Sequence, residues 1–418
     1  MQFNNIDTNI TPDNWGGSEN SIIKVIGVGG GGCNAVNYMY SQKITGCSFI
    51  VCNTDSQSLH KSEVPVKIQL GARGLGAGTD PVEGRKAALD SQEEIEAKAL
   101  SGTEMLFITA GMGGGTGTGA SPVIAKLAKE KGILTVAVVT IPFKNEGNES
   151  QSKAIDGIRE LEKNVDSLLI INNEKLYEFF GDTLVQEAFP KADEVLATAV
   201  RGIIEVITKP GYINVDFKDV SKMMRDSGMA LMGTGVGTGE NRLEDAVKGA
   251  FESPLLNDFD LKTAKNVLIN ITSGNNEQGL KMKELETIDK MISEYTGNAN
   301  RFKKGLIWDD DPNIGDQVRI TTIVTGFDMG KLGDITDVNL GNLIIIDEDY
   351  VWESPRKEGE VHLPESNPSV KIGYNSSDNT RRYSFTFDSK PVLCVEPGQS
   401  TSMLENTPAI RRPHTEKK

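Results

Sequence analysis

Histidine and cysteine are scarce in this chain, three and four residues among 418. The cysteines stand at Cys33, Cys47, Cys52 and Cys394 with no C-x-x-C pair. Neither a disulfide framework nor a zinc site is expected from them, only the reduced thiols of a cytoplasmic protein. No apolar run approaches the roughly 20 residues that span a bilayer. The first segment, Met1 to Asn20, is polar and carries Asp7, Asp13 and Glu19, unlike a secretory leader. Positive charge is in deficit, 44 basic against 59 acidic residues, for a net −15. Broad binding to nucleic acid or anionic lipid needs a basic footprint, so neither is expected as a partner. A locally bound phosphate is still compatible, because fields from exposed charges fade over about 8 Å at physiological salt. No Walker-type G-x-x-x-x-G-K-[ST] occurs, which sets aside the commonest nucleotide loop.

What is present is glycine, in two dense runs, set among alternating strand-like and helix-like segments. Ser21 to Val28 (SIIKVIGV) is a β-branched apolar run that ends in glycines, a buried strand feeding a turn. Ser48–Cys52, Met105–Thr109, Leu134–Thr140 and Ser167–Ile171 repeat the pattern. Helical stretches are expected over Asn34–Tyr40, Pro81–Leu100 and Ser121–Lys131. That alternation predicts an α/β fold with a Rossmann-like parallel sheet covered on both faces. From Phe189 a long helix is expected, with Val195, Leu196, Ala199, Val200, Ile203, Ile204 and Ile207 at three-and-four spacing as its core stripe. Lys209-Pro210-Gly211 ends it. A second α/β region follows, with strands near Asn266–Thr272 and Gln317–Thr325. Beyond Asp328 the composition becomes that of a linker, broken by two strand-like apolar pieces, Asn342–Trp352 and Tyr383–Glu396.

The first glycine run, Gly27-Val28-Gly29-Gly30-Gly31-Gly32, lies between a strand and a helix. Glycine lets a backbone approach a phosphate, and successive N–H groups at a helix N-terminus supply positive charge. Alone it is ambiguous. Gly27, Gly29 and Gly32 also satisfy G-x-G-x-x-G, and Asp55 falls where a ribose-binding acid would. A dinucleotide-dependent oxidoreductase is therefore a competitor, although His60 is the sole histidine in the first 300 residues. The second run, Gly111 to Gly119 (GMGGGTGTG), follows another strand and precedes another helix. Two such turns suit a polyphosphate gripped from two sides, with hydroxyls from Thr116 and Thr118.

Together with Asn53-Thr54-Asp55 and the segment Asn214 to Val220 (NVDFKDV), these runs closely resemble the FtsZ family of tubulin-like GTPases, from about Ile22 to Phe327. The resemblance implies GTP or GDP as ligand, with Mg²⁺ held mainly through the phosphates and no metal-ligating side chains. Gly29, Gly30, Gly31, Gly32, Cys33 and Asn34 would line the phosphates from one side. Gly113, Gly114, Gly115, Thr116, Gly117 and Thr118 would line them from the other, with Asn53 and Asp55 nearby. Glu146 matches the sugar-contacting acid, Asn173 and Asp193 the guanine-binding positions, and Phe189 the residue against the base. A carboxylate can accept from guanine N1–H and N2–H, which adenine does not offer, and an unpaired buried polar group costs roughly 1–3 kcal/mol.

One position departs from the family pattern: Ser150 stands where an arginine is usual, four residues beyond Glu146. Its loss removes a charge-assisted contact and predicts slower or weaker nucleotide turnover. Lys144 and Lys153 are the nearby cations that could substitute. Asp216 and Asp219, with Asn214, are the implied hydrolytic residues, presented to the nucleotide of a neighbouring subunit. Spacing alone reads equally well as an acid pair favouring a helix N-terminus. The implied product is a head-to-tail homopolymer forming the cytokinetic ring at the mid-cell division site. Pro408, Ala409, Ile410, Arg411 and Arg412 would recruit membrane-anchoring and regulatory division proteins.

The expected divisions are a flexible segment 1–21, a GTP-binding domain 22–187, a central helix 188–211 and an activating domain 212–327. A mostly disordered linker 328–402 and a partner-binding peptide 403–418 follow. Two alternatives stay open: the oxidoreductase, and a relative that assembles without efficient hydrolysis.

Overall fold

A computed structural model describes residues 21–327 apart from 175–184, 210, 214, 253–260, 262–263, 297–300 and 310–313, together with five strands between 343 and 394. Asn214, Pro408–Arg412 and the segment 1–20 lie outside the described residues, as does the side chain of Phe189.

Up to Met329 the chain forms one compact unit, built on an eleven-stranded sheet of order β3-β2-β1-β4-β5-β6-β8-β11-β9-β10-β7. Its first half comprises β1 (Ile23–Val28), β2 (Ser48–Asn53), β3 (Val66–Gln69), β4 (Met105–Gly111), β5 (Leu134–Ile141) and β6 (Ser167–Asn172), all parallel. β1, β2, β5 and β6 are buried at every position, as continuous apolar runs in a doubly covered parallel sheet should be. The second half comprises β7 (Gly211–Ile213), β8 (Gly228–Gly237), β9 (Asn266–Gly274), β10 (Arg301–Asp309) and β11 (Val318–Phe327), and it is mixed. A short parallel seam, Ser167–Leu169 of β6 against Gly228–Ala230 of β8, joins the halves.

The helices are α1 (Gly29–Ser41), α2 (Ser56–Lys61), α3 (Pro81–Asp90), α4 (Gly115–Glu130), α5 (Asn148–Glu162), α6 (Val185–Thr208), α7 (Phe217–Met224), α8 (Arg242–Phe251) and α9 (Met282–Thr296). The stripe expected on α6 is core: Leu196, Ala199, Val200, Ile203 and Ile204 are buried, with Val195 and Ile207 packed against them. The helix expected over Pro81–Leu100 breaks at Ser91, whose hydroxyl accepts from Gly71 N–H at 2.9 Å. The chain resumes as a short helix, Gln92–Ile95, and a π turn, Glu96–Leu100.

Two helices begin earlier than their sequences suggest. α1 starts at Gly29 rather than Asn34, and α4 at Gly115 rather than Ser121. Glycine costs about 1 kcal/mol in a helix interior, but close packing overrides that cost here. A Cβ at Gly32 would collide with the Thr109 carbonyl, and one at Gly119 with the Pro81 carbonyl. Both glycine runs are therefore largely first turns of helices.

The unit from Gly330 onward contains β12 (Leu343–Ile345), β13 (Val351–Ser354), β14 (Val370–Tyr374), β15 (Arg381–Phe385) and β16 (Val392–Cys394). The two apolar pieces of the expected linker pair with each other: β12 with β16, and β13 with β15, which also takes β14.

Candidate active site

The order 3-2-1-4-5-6 places the topological switch between β1 and β4, where connections leave in opposite directions and open a crevice at the carboxyl ends of the strands. Both glycine runs sit on its rim. β1 passes at Val28 into α1, and β4 passes through Met112–Gly114 into α4. Two helix N-termini therefore meet at one crevice, each offering unpaired N–H groups and a partial positive charge to an anion.

The glycines divide into two kinds. Gly29 has φ +72°, and a Cβ there would lie 2.8 Å from Gly117 N, so the two turns touch. A Cβ at Gly117 would meet the Gly111 carbonyl, and one at Gly27 the Gly32 carbonyl. These glycines serve packing. Gly30 and Gly114 are exposed, and a Cβ on either would meet nothing within 4 Å. Their bare backbone, at the starts of α1 and α4, is open to the close approach that a phosphate would require. The three glycines of the dinucleotide fingerprint thus include Gly27 and Gly29, which are needed for contact with other backbone.

The other expected residues are placed as follows. Cys33 is buried with Sγ directed at the Gly27 and Cys52 carbonyls, and burial pushes its thiol up to about 12. Only its backbone can serve the crevice. Asn34 is exposed on α1. Asn53 is buried at the end of β2 and accepts from Asp55 N–H at 3.2 Å. Asp55 caps α2, accepting from Gln57 N–H at 2.9 Å, a local structural role that weakens the ribose reading. His60 sits exposed on that short helix. The Thr116 hydroxyl is buried against that of Thr54 at 2.6 Å. The Thr118 hydroxyl accepts from Gly113 N–H at 2.9 Å and so holds the second turn in shape.

Ser150 lies against that same turn, 3.5 Å from the Gly113 carbonyl. Lys153 is engaged by Glu149 at 2.6 Å and by the Thr79 carbonyl at 3.1 Å. Lys144 is exposed. Glu146 closes a single 3₁₀ turn by accepting from Phe143 N–H at 2.9 Å.

Beyond the end of β6, Asn173 Oδ1 is buried without a hydrogen-bond partner among the described residues. Burial raises the Asp193 carboxyl from 3.8 to about 6. An acceptor without a partner and a desolvated carboxyl match the two donors on one edge of guanine.

A third glycine-rich turn, Gly71 to Gly78 (GARGLGAG), has a spacing that is visible in the sequence but belongs to neither of the two runs above. It leaves β3 and closes against the second turn: a Cβ at Gly115 would lie 2.9 Å from Ala77 Cβ. With Thr54 and α3 it lines a cavity of about 240 Å³ into which Arg73 and Lys86 contribute.

The acid pair lies elsewhere. Asp216 caps α7, accepting from Asp219 N–H at 2.7 Å, so the helix-terminal role is real. Asp219 pairs with Lys303 at 2.9 Å. α6 carries the chain away from the crevice: Thr208, at its last turn, packs on Gly46, just before β2 begins. At 1.5 Å per residue, Asp193 and Thr208 are roughly 22 Å apart along the helix. After α7, Arg225 reaches the Gly132 carbonyl just before β5. The acid segment thus belongs to the amino-terminal edge of the parallel strands and the glycine turns to the carboxyl edge.

The sequence profile of the Tubulin/FtsZ family GTPase domain matches residues 22–181, and that of the FtsZ family C-terminal domain matches residues 228–328. The cell division protein FtsZ of Buchnera aphidicola subsp. Acyrthosiphon pisum is 47% identical over 348 residues, 81% of this chain and 89% of that protein. The chain belongs to the FtsZ family of tubulin-like GTPases. The FtsZ of Pseudomonas aeruginosa is likewise 47% identical, covering 74% of this chain and 78% of that protein. An FtsZ dimer structure from M. jannaschii superposes with a TM-score of 0.66 at 40% identity, covering 73% of this chain and 88% of that one. CetZ2 from Haloferax volcanii, at 19% identity and a TM-score of 0.62, shares the fold. As a member of the FtsZ family the chain is a GTP-hydrolysing, polymerising cell-division protein.

Proposed function

We propose that this chain binds GTP across the β1/β4 crevice and hydrolyses it only where two copies meet. The observation that carries this reading is the separation of parts. The phosphate-facing glycines lie at one edge of the sheet and Asp216 and Asp219 at the other, about 26 Å apart for a strand the length of β5. One copy cannot apply its acids to its own nucleotide, whereas a second copy stacked along the strand direction brings them to it. Such a contact joins unlike surfaces and repeats without closing, so it builds filaments.

In this reading Gly30, Gly31 and Gly114 offer backbone N–H groups to the phosphates. Asn173 and Asp193 read the guanine, and Glu146 takes the sugar. Asp216 and Asp219 of the adjoining copy orient the attacking water, the positioning work that phosphoryl transfer chiefly demands. A divalent cation riding on the phosphates would neutralise charge there. The ring at the division site is the family's use of such filaments. Recruitment of other division proteins is assigned to Pro408–Arg412, and the divisions at residues 187 and 212 remain part of the same proposal.

Asp219→Ala tests the split directly. The variant should bind GTP within about twofold of wild type, because the crevice is untouched, while steady-state turnover falls by about a hundredfold or more. Equal loss of binding and turnover would place Asp219 in its own chain's nucleotide site and defeat the reading. The oxidoreductase alternative is disfavoured by Asp55, whose carboxylate is taken up in capping α2, and by His60, which lies exposed on that short helix.

A further inference from the structure

The seam between the halves of the sheet is three residue pairs long, and the residue just before it is a buried carboxylate. Asp166 is 3% exposed and divides its oxygens between the halves. Oδ2 accepts from Thr135 N–H at 2.9 Å, at the start of β5, while Asp166 N–H donates to the Thr135 carbonyl, also at 2.9 Å. Oδ1 accepts from Asp226 N–H at 3.3 Å. The Asp166 carbonyl takes two more bonds, from Ser227 N–H at 2.8 Å and Gly228 N–H at 3.1 Å. Arg225 stands 4.0 Å away. The turn so gripped is conformationally demanding, since Asp226 has φ +49° and Gly228 φ +70°. It follows directly on α7. The last carbonyls of α7 are held as well: Lys222 by Arg301 at 3.2 Å, Met223 by Asn266 and Thr325 at 3.1 Å each.

We propose that Asp166 is a positioning residue for GTP hydrolysis, acting through the turn 225–228 to fix α7 and hence where Asp216 and Asp219 stand on the face offered to the next copy. The proposal rests on the reading of those two acids as hydrolytic. α7 is eight residues long, about 12 Å, and its buried face (Val220, Met223, Met224) makes it move as a rod. The turn 225–228 adds to the bonds that Arg301, Asn266 and Thr325 make to the carboxyl end of α7, and a shift there is passed along the helix to the acids. Misplacement by about 1 Å can cost about a hundredfold in rate.

Asp166→Asn is the selective probe. The amide keeps one acceptor oxygen, enough for Thr135 or Asp226 but not both, and turns an NH₂ donor toward the remaining N–H. The turn loosens while the crevice, at the opposite edge, keeps its residues. Expected are GTP affinity within about twofold of wild type, filaments that still form, and turnover reduced about tenfold or more. Arg225→Gln, a half-exposed position whose replacement leaves the core alone, should shift turnover the same way by a smaller factor.

Mixing experiments test whether the acid face of Asp166→Asn is competent. Asp166→Asn subunits added to Asp219→Ala subunits should not recover activity, because both lack a competent acid face. Recovery would show that Asp166→Asn still supplies working acids and would overturn the proposal. So would wild-type turnover in Asp166→Asn, or GTP affinity falling as far as turnover. If Asp166→Asn fails to fold, wild-type turnover in Arg225→Gln overturns it and slowed turnover with unchanged affinity supports it. Asp219→Ala alone serves as the control: if it turns over like wild type, the shared-site reading fails and takes this proposal with it.

Discussion

At Asp193 a carboxylate is held where burial alone lifts it to about 6. Because the folded value exceeds the ordinary one, the nucleotide-free protein loses stability as pH rises from about 4 through 6 and the group is forced to ionise. In the proposed reading guanine needs the ionised form of Asp193 to accept from both of its donors. GTP affinity measured by titration should therefore be highest above pH 6 and fall as pH drops through it. Asp193→Asn should raise the melting temperature of the nucleotide-free protein at pH 7.5 and weaken GTP about tenfold or more, since an amide brings a donor to a donor. Ser150 makes the converse prediction. It sits beside Gly113, and the nearby Lys153 is taken up by Glu149 and Thr79. Ser150→Arg should supply a charge-assisted contact and raise GTP affinity or turnover about tenfold; unchanged kinetics would show that the arginine is dispensable here. None of this was legible in composition. Which carboxylate is desolvated, and which cation is already engaged, depends on residues brought together by the fold.

Among elements, strands that are apolar runs were readable to within two or three residues, because full burial on both faces leaves no alternation to misread. β8 and β10 were not. β8 is interrupted by Gly233, Gly235 and Gly237, and β10 opens with Arg301, Lys303 and Lys304, three of its first four positions being exposed. Glycine also hid the starts of α1 and α4, since propensity argues against helix where close contact requires it. That distinction can be tested. Gly30→Ala adds a methyl to open space and a better helix former, so thermal stability should hold or rise slightly while GTP affinity drops about tenfold. Gly117→Ala drives the same methyl into the Gly111 carbonyl and should lower both.

On the scale of the molecule, the sequence carried both glycine turns and the acid segment but not the distance between them. That distance is set by α6, which runs the depth of the sheet, and by the turn after α7 that Asp166 holds at the far edge. From it follows the proposal that one copy is incomplete as a catalyst until a second arrives. Turnover per molecule should be followed from well below to well above the concentration at which filaments appear. It should be near zero in dilute solution, climb steeply and level off once nearly every subunit has a neighbour. A rate per molecule that stays flat across dilution would mean that one copy holds the whole site.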